Sequence, residues 1–255
     1  MAVERALNGD YRRPDVIKAI IFDKDGTILD LGNTWEKPSI DVVRQLLSLS
    51  SLSPEESEAF ERSIGIEGET LLANTLFSAG SISEQAAKMV EVVPLSIREI
   101  EVYLENYYYD HIADSEVELQ VIGNIESILQ QLKSEYFLGL VTNDNRRLTE
   151  VTMSKIGLID YFDWMASSDE FKPKPDPIAL HALAERHGLK FDEMIYIGDS
   201  SVDMEYGKHT FASIGFALEP SHREFLKEAD YIIESFEELP PLIDKLNQLK
   251  RAQEA

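Results

Sequence analysis

The stretch Val16-Ile17-Lys18-Ala19-Ile20-Ile21-Phe22-Asp23-Lys24-Asp25-Gly26-Thr27 decides the fold of this 255-residue chain. Its first seven residues are mostly apolar, and the five that follow are polar or glycine. A buried parallel strand ends in this way, because helices cover both of its faces while its carboxyl end meets solvent. The segment therefore predicts a parallel β-sheet with polar groups at one edge.

Similar apolar runs and helical patterns alternate along the rest of the chain. Further strands are predicted at 136–141, 194–197 and 212–217, and residues 231–233 could add one more. Helices are predicted at 122–132, 146–156, 177–187 and 242–251. This order predicts an α/β domain, a Rossmann-like parallel sheet core with helices on both faces. Ligands of such sheets bind beyond the carboxyl ends of the strands.

Residues 35–117 interrupt the alternation. They show no convincing strand, but Ser53 and Ser96 begin segments with the spacing of a helix N-terminus, and Ser83 is a weaker start. We predict an all-helical cap domain of about four helices, inserted after the first strand. The catalytic core is then 1–34 and 118–255, and the helical cap is 35–117.

Two pairs of carboxylates follow predicted strands. Asp23 and Asp25 would point the same way in an extended segment, and their repulsion requires a cation, a shared proton or a basic residue. Asp199 follows a second strand, and Asp203 would face it from the first turn of a helix. Mg²⁺ prefers oxygen ligands and suits such a cluster. The alternative is structural, with Asp side chains that cap turns and helix ends.

Two further segments offer groups that could bind phosphate. The Pro-spaced stretch 171–177 could hold a lysine ammonium in place at low entropic cost, and a positioned ammonium neutralises a phosphoryl group. Thr142 and Asn143 offer a hydroxyl and an amide donor at another strand end. Taken alone, each segment fits an ordinary loop or turn better than a phosphate site.

Composition narrows the class of protein. The net charge of −23 opposes binding to nucleic acid and to anionic membranes, and no apolar run is long enough to span a bilayer. The chain has no cysteine, which excludes disulfides and thiolate chemistry. Residues 1–14 lack the apolar core of a signal peptide. We therefore expect a cytoplasmic protein that binds neither nucleic acid nor a membrane; the oligomeric state cannot be read from the sequence.

Four segments, in this order, resemble the motifs of the haloacid dehalogenase-like phosphatase superfamily. They are Asp23-Lys24-Asp25-Gly26-Thr27, Thr142-Asn143, Lys172-Pro173-Lys174-Pro175-Asp176 and Gly198-Asp199-Ser200-Ser201-Val202-Asp203. The insertion is similar to the helical cap of the phosphoglycolate phosphatase and β-phosphoglucomutase branch. The resemblance implies a magnesium-dependent phosphomonoester hydrolase that forms an aspartyl-phosphate.

The resemblance also implies a role for each matching residue. Asp23 would be the nucleophile and Asp25 the general acid and base. Mg²⁺ would be held by Asp23, Asp199 and the backbone carbonyl of Asp25. Asp203 would hold a metal-bound water or orient Lys172. The partner that the resemblance implies is a small phosphorylated metabolite. Phosphate would be bound by Lys172, Thr142, and backbone amides near Gly26 and Asn143. Lys172 is chosen over Lys174 because only then does Asp176 fall in the register of the family pattern Lys-Pro-x-Pro-Asp.

Three alternative functions stay open, and features of the sequence oppose two of them. Dehalogenases of the superfamily lack an aspartate at the place of Asp25, which favours phosphoryl chemistry. A sugar-phosphate mutase would use the same aspartyl-phosphate, but the mutases carry an acidic residue where this chain has Gly198. A non-catalytic protein that binds a phosphometabolite or a partner is the third alternative.

Overall fold

A computed structural model of the chain describes residues 17–254, and its centre is a parallel sheet of six strands. These strands are β1 (Ala19–Phe22), β4 (Phe137–Val141), β5 (Trp164–Ala166), β6 (Met194–Gly198), β7 (Ala212–Phe216) and β8 (Tyr231–Ile233). Between β1 and β4, two short strands, β2 (Ile66–Glu67) and β3 (Thr70–Leu71), form a separate antiparallel pair. The order in the large sheet is β5-β4-β1-β6-β7-β8.

The register of the sheet brings the predicted motifs together. Phe22, the last residue of β1, lies beside Leu140 of β4 and Ile197 of β6. Asp23, Thr142 and Asp199 therefore leave neighbouring strands at the same edge. The predicted strands are confirmed, although Val16 lies outside the described residues. The three-residue strand β5 was not predicted.

Helices cover both faces of the sheet, as predicted. Five helices follow the inserted cap segment in the sequence. They are α6 (Ile125–Leu132), α7 (Arg146–Lys155), α8 (Ile178–His187), α9 (Ser201–Gly207) and α10 (Leu239–Glu254). Ile20 and Phe22 of β1 pack with α6 and α10 on one face, while Ala19 and Ile21 pack with α8 on the other. This alternation follows from the period of two in a strand, and it explains why β1 is apolar throughout.

The segment between β1 and β4 is mainly helical, as predicted, but it also contains the strand pair β2–β3, so the prediction that the cap is all-helical is wrong in this respect. It contains α1 (Leu31–Leu47), α2 (Pro54–Ser63), α3 (Leu76–Ala79), α4 (Ile82–Met89) and α5 (Ile97–Ala113). Ser53 and Ser96 cap α2 and α5 with complete capping boxes. Helix α4 is capped by Ser81 rather than by Ser83, because Glu84 then stands at the third helical position and closes the box.

The cap has an apolar core of its own. Buried side chains from Trp35 to Ile112 form one cluster, which Leu148 of α7 joins from the sheet domain. Helix α1 begins at Leu31, slightly before the predicted boundary at residue 35. The separate cluster supports the division into 1–34 and 118–255 against 35–117, which stays a prediction.

No helix within residues 17–254 combines the length and the apolar composition that a membrane crossing needs. The prediction made for residues 1–14 lies outside the described residues.

Candidate active site

A cavity lies between the cap and the carboxyl ends of β1, β4 and β6. It is lined by six of the predicted site residues together with Lys174. These six residues are Asp23, Asp25, Thr142, Asn143, Asp199 and Asp203. The four sequence motifs therefore meet in one place, although they are separated by up to 180 positions along the chain, between Asp23 and Asp203.

Lys174 joins two of the carboxylates at the base of the cavity. Its Nζ lies 2.5 Å from Asp23 Oδ1 and 2.7 Å from Asp203 Oδ1. The Tyr196 hydroxyl, 3.0 Å from the same Nζ, donates to Asp203 Oδ1 at 2.8 Å. The ammonium group is thus held by three oxygens, and only 5% of the Lys174 side chain is exposed.

Burial and charge oppose each other in this cluster. Burial raises the pKa of Asp23 to about 7, with Lys174 acting against the rise and Asp203 and Asp25 adding to it. Burial alone would lower the pKa of Lys174, but Asp203 and Asp23 outweigh it and the pKa is raised. Lys174 is therefore positively charged at all ordinary pH values, and it is the group that stabilises the Asp23 carboxylate.

Asp203 is saturated by protein donors. Besides Lys174 and Tyr196 at Oδ1, its Oδ2 accepts from the Ser200 hydroxyl at 2.7 Å and from the backbone N–H groups of Ser200 and Asp199. Burial would raise its pKa, but the ion pair with Lys174 and these hydrogen bonds outweigh burial and lower the pKa. An aspartate with this set of donors orients Lys174 and the loop after β6.

The prediction that Lys172 reaches the site is wrong. Its side chain is 77% exposed and pairs with Asp176 at 3.4 Å, whereas the side chain of Lys174 is 5% exposed. Both lysines precede Pro-x-Pro, so the sequence pattern alone could not separate them. The structure favours Lys174 because the Asn143 side chain accepts from its backbone N–H at 2.8 Å and fixes this part of the loop beside β4.

Asp25 is held by two groups that the sequence did not point to. Its Oδ1 accepts from Trp35 Nε1 at 2.6 Å, and its Oδ2 lies 2.6 Å from Lys24 Nζ. Lys24 is fully buried and also pairs with Asp144 at 2.8 Å. Burial alone would lower the pKa of Lys24, but Asp144 and Asp25 outweigh it and the pKa is raised. The only signals in the sequence were two charged residues, Lys24 between Asp23 and Asp25 and Asp144 directly after Thr142-Asn143.

Thr142 and Asn143 line the cavity as predicted. The Thr142 hydroxyl oxygen accepts from the backbone N–H of Asp144 at 3.1 Å, which leaves its own proton free to donate. The side-chain amide of Asn143 connects the cap with the sheet domain. Its Nδ2 donates to the carbonyl of Ala79 in the cap at 3.2 Å, while its Oδ1 accepts from Lys174.

Gly26 has a steric role in the structure. It does not line the cavity, and its N–H donates to the carbonyl of Leu29 at 2.7 Å, so the predicted contact of this amide with phosphate is not available. Its φ of +81° lies in the left-handed region, and a Cβ there would come within 2.1 Å of the Asp199 carboxylate. Glycine is required because Asp199 packs directly against this turn.

The donor set fits a hard divalent cation. Carboxylate oxygens of Asp23, Asp199 and Asp203 lie within 4.8 Å of one another. Desolvation raises the pKa of Asp199 well above its usual range, and the charges of Asp203 and Asp23 add to the rise. Among the described residues, no lysine, arginine or histidine forms an ion pair with Asp199. An added cation would remove this penalty, and all-oxygen ligands are those that Mg²⁺ prefers.

The cap supplies an uncharged wall opposite these groups. We call cap wall the side chains of Trp35, Ser39, Phe77, Gln85 and Tyr108, all of which line the cavity. The Tyr108 hydroxyl lies 3.3 Å from Gln85 Oε1 and 3.4 Å from Ser39 Oγ, and its ring meets the Trp35 ring edge-on at 5.5 Å.

Two further segments of the cap differ in whether they reach the cavity. Within the cluster Tyr107-Tyr108-Tyr109, Tyr108 lines the cavity and Tyr109 packs on the Arg147 guanidinium of α7, 3.5 Å from the ring centre. Gly65 and Gly68 do not line the cavity. They flank β2, and both have positive φ. Asn74, close after β3, lines the cavity instead, and its Oδ1 accepts from the N–H and the hydroxyl of Ser201.

Known proteins share both the sequence pattern and the fold. The family model described as haloacid dehalogenase-like hydrolase matches residues 20–215. A phosphoglycolate phosphatase of Vibrio parahaemolyticus is 28% identical over 229 residues, which cover 88% of this chain and 94% of that protein. A predicted phosphoglycolate phosphatase of Haemophilus somnus has a TM-score of 0.66 at 17% identity, over 89% of this chain and 97% of that one. A β-phosphoglucomutase of Clostridium difficile has a TM-score of 0.65 at 22% identity, over 92% and 99%.

Proposed function

Because the chain belongs to the haloacid dehalogenase-like hydrolase family, we propose that it is a magnesium-dependent phosphomonoesterase that uses Asp23 as its nucleophile. Its substrate would be a small phosphorylated metabolite in the cytoplasm. The observation that carries the proposal is the contact of Asp23 with Lys174 at the end of β1, with Asp25 two residues further on in the same cavity. The phosphoglycolate phosphatases among the relatives support the same class of reaction.

The reaction would proceed in two displacements. A carboxylate oxygen of Asp23 attacks phosphorus, the bond to the ester oxygen breaks, and Asp25 gives a proton to the departing alkoxide. Asp25 then takes a proton from water as the water oxygen attacks phosphorus, and the bond to Asp23 breaks to release inorganic phosphate. Two moderate barriers replace one high barrier, which is the benefit of covalent catalysis.

The remaining residues would hold the phosphoryl group. Lys174 lies against Asp23 and would offset negative charge on the phosphoryl oxygens, and the free proton of Thr142 would donate to one of them. Asp23, Asp199 and the backbone carbonyl of Asp25 would hold Mg²⁺. When bound, this ion supplies positive charge that stabilises the phosphoryl group and the acidic cluster. Asp203 would keep Lys174 aligned through its contact at 2.7 Å.

A mutase is the second candidate, and the loop after β6 argues against it. As noted for the sequence motif, the sugar-phosphate mutases carry an acidic residue where this chain has Gly198. In this structure a Cβ at position 198 would lie 2.3 Å from the Cβ of Asp203. Asp203 in turn accepts three hydrogen bonds from the loop at Oδ2, so it has no room to move away. The site of this chain therefore excludes that residue.

The test is phosphate release from a panel of phosphomonoesters with Mg²⁺. We expect turnover that EDTA stops and that added Mg²⁺ restores, and we expect Asp23→Asn to lower kcat by roughly 10⁴-fold or more. The matched control is Asp160→Asn, which removes an exposed carboxylate outside the cavity and should leave kcat within twofold. A folded, metal-binding wild type that releases no phosphate from any ester would overturn the proposal.

A further inference from the structure

The charges that line the cavity are unevenly placed between its two sides. Five aspartates face it from the sheet domain: Asp23, Asp25, Asp144, Asp199 and Asp203. Among the lining residues in the described part of the chain, Lys174 is the only lysine, and no arginine occurs. Lys174 is already held by Asp23 and Asp203, so no permanently charged cation remains for a second anionic group of a substrate.

The cap wall is uncharged but polar. Ser39, Gln85 and Tyr108 are each 5% exposed or less, and their hydroxyl and amide groups form one chain of contacts. The Gln85 Nε2 donates to the carbonyl of Gly80 at 3.2 Å, which fixes the amide. A hydroxyl can both donate to such groups and accept from them, whereas a carboxylate can only accept.

A second anionic group would be unfavourable against this wall. It would lose its hydration inside the cavity without an ion pair in return, and buried charges without a partner are strongly disfavoured. The nearby aspartates and the net charge of −23 would add repulsion. His222 and Phe225 line the cavity from the sheet domain. Among the lining residues within 17–254, His222 is the one besides Lys174 that can carry positive charge.

We propose that the site takes phosphomonoesters whose leaving alcohol is uncharged and carries hydroxyl groups, and that it discriminates against esters with a second carboxylate or phosphate. The aromatic side chains of Trp35, Phe77 and Tyr108 would pack on the carbon skeleton of that alcohol, while Ser39 and Gln85 would bond its hydroxyls. This inference rests on the proposed phosphatase activity. It also separates the chain from the phosphoglycolate phosphatases it is similar to, since phosphoglycolate carries a carboxylate.

The experiment compares esters that differ only in this charge. 2-Hydroxyethyl phosphate and phosphoglycolate have the same chain length, with a hydroxymethyl group in place of the carboxylate. Glycerol 3-phosphate and 3-phosphoglycerate form a second such pair. We expect kcat/KM to be at least tenfold higher for the uncharged member of each pair. The His222→Gln variant should keep this order; reversal of the order in that variant would show that the histidine sets the preference and would contradict the role of the cap wall.

A charge placed in the cap wall provides the matched test. Gln85→Lys should lower the ratio of kcat/KM between 2-hydroxyethyl phosphate and phosphoglycolate at least tenfold, chiefly by raising kcat/KM for phosphoglycolate. Gln85→Met, which has similar size but no charge, should lower the ratio less, and only by lowering kcat/KM for 2-hydroxyethyl phosphate. Circular dichroism confirms that each variant is folded; if Gln85→Lys is not, the wild-type ratios decide alone. Wild-type preference for phosphoglycolate or a bisphosphate would overturn the inference and leave the phosphatase intact, whereas no turnover of any ester would overturn both.

Discussion

The two sides of the cavity differ in how their polar groups are satisfied. On the sheet side, Lys24 and Lys174 are buried among carboxylates, so that each ion pair compensates for lost hydration. On the cap side, Ser39, Gln85 and Tyr108 are buried but neutral, and hydrogen bonds among themselves and to backbone satisfy them. The sheet side is therefore built to stabilise charge during a reaction, and the cap side to select an uncharged molecule. Substitutions on the sheet side should affect kcat and stability, and those in the cap wall should affect the choice of ester, apart from the Trp35 N–H, which contacts Asp25 on the sheet side.

The largest effect that would test this contrast is expected at Lys174. Lys174→Met leaves the buried Asp23 and Asp203 without their cation, and breaking one side of a buried ion pair costs about 3–5 kcal/mol of unfolding free energy. We expect phosphate release to fall by roughly 10³-fold as well. Urea denaturation and steady-state kinetics measure the two effects.

Lys172→Met is the matched control for this prediction. Its side chain is 77% exposed and reaches only Asp176, so both kcat and the free energy of unfolding should stay close to wild type. A larger loss of activity in Lys172→Met than in Lys174→Met would reverse the assignment of the two lysines.

The second effect concerns Lys24 and Asp144. Lys24→Met leaves Asp144 and Asp25 without a cation, and we expect a loss of about 3 kcal/mol in unfolding free energy. The double variant Lys24→Met/Asp144→Asn also removes the charge of Asp144, which the loss of Lys24 leaves unpaired, so part of the lost unfolding free energy should return. A double-mutant cycle by chemical denaturation measures the coupling between the two residues; coupling near zero would show that the ion pair has no energetic role.

A smaller effect is expected where the cap touches Asp25. Trp35→Phe keeps a ring beside Tyr108 but removes the N–H that donates to Asp25 Oδ1 at 2.6 Å. Loss of a hydrogen bond to a charged group changes an equilibrium or rate constant by a factor of about ten or more, so kcat should fall about tenfold. The relative kcat/KM values of the charged and uncharged esters should not change, and a change in that ratio would show that Trp35 selects the ester rather than orienting Asp25.

The smallest effect is expected at Asn74, which joins the cap to the loop after β6. Asn74→Gly removes its two contacts with Ser201 but tolerates the φ of +59°, so we expect a change in KM of only about two- to threefold. Asn74→Ala removes the same contacts and adds strain, because a residue with a Cβ is unfavourable at this φ. Thermal unfolding should therefore separate the two variants, with alanine the less stable.

The sequence predicted the parts of the fold that local patterns determine. The apolar runs that became β1, β4, β6 and β7 are four or five residues long, and the first three end in polar motifs, so their position was clear. Strand β5 has only three residues, and it is a strand because its neighbour β4 offers backbone groups to pair with. Such a strand leaves almost no local pattern, which is why it was missed.

The site residues divide in the same way. The four site aspartates form two closely spaced pairs, Asp23 with Asp25 and Asp199 with Asp203. Because each pair follows a strand of the same parallel sheet, the sequence predicted that they lie close together. Lys174 could not be separated from Lys172, because the difference between them depends on the contact of its loop with Asn143. Likewise, the pair of Lys24 with Asp144 links the ends of two strands that are adjacent only once the chain has folded.

The buried pair of Lys24 and Asp144 also limits how this sequence can change over generations. Loss of Lys24 leaves Asp144 and Asp25 without a cation, and loss of Asp144 leaves the buried Lys24 with one carboxylate instead of two, so an intermediate with only one change is selected against. The two positions are 120 residues apart in the chain, yet they are expected to be inherited as a unit. Descendants of a common ancestor should therefore carry the oppositely charged pair at both positions or at neither.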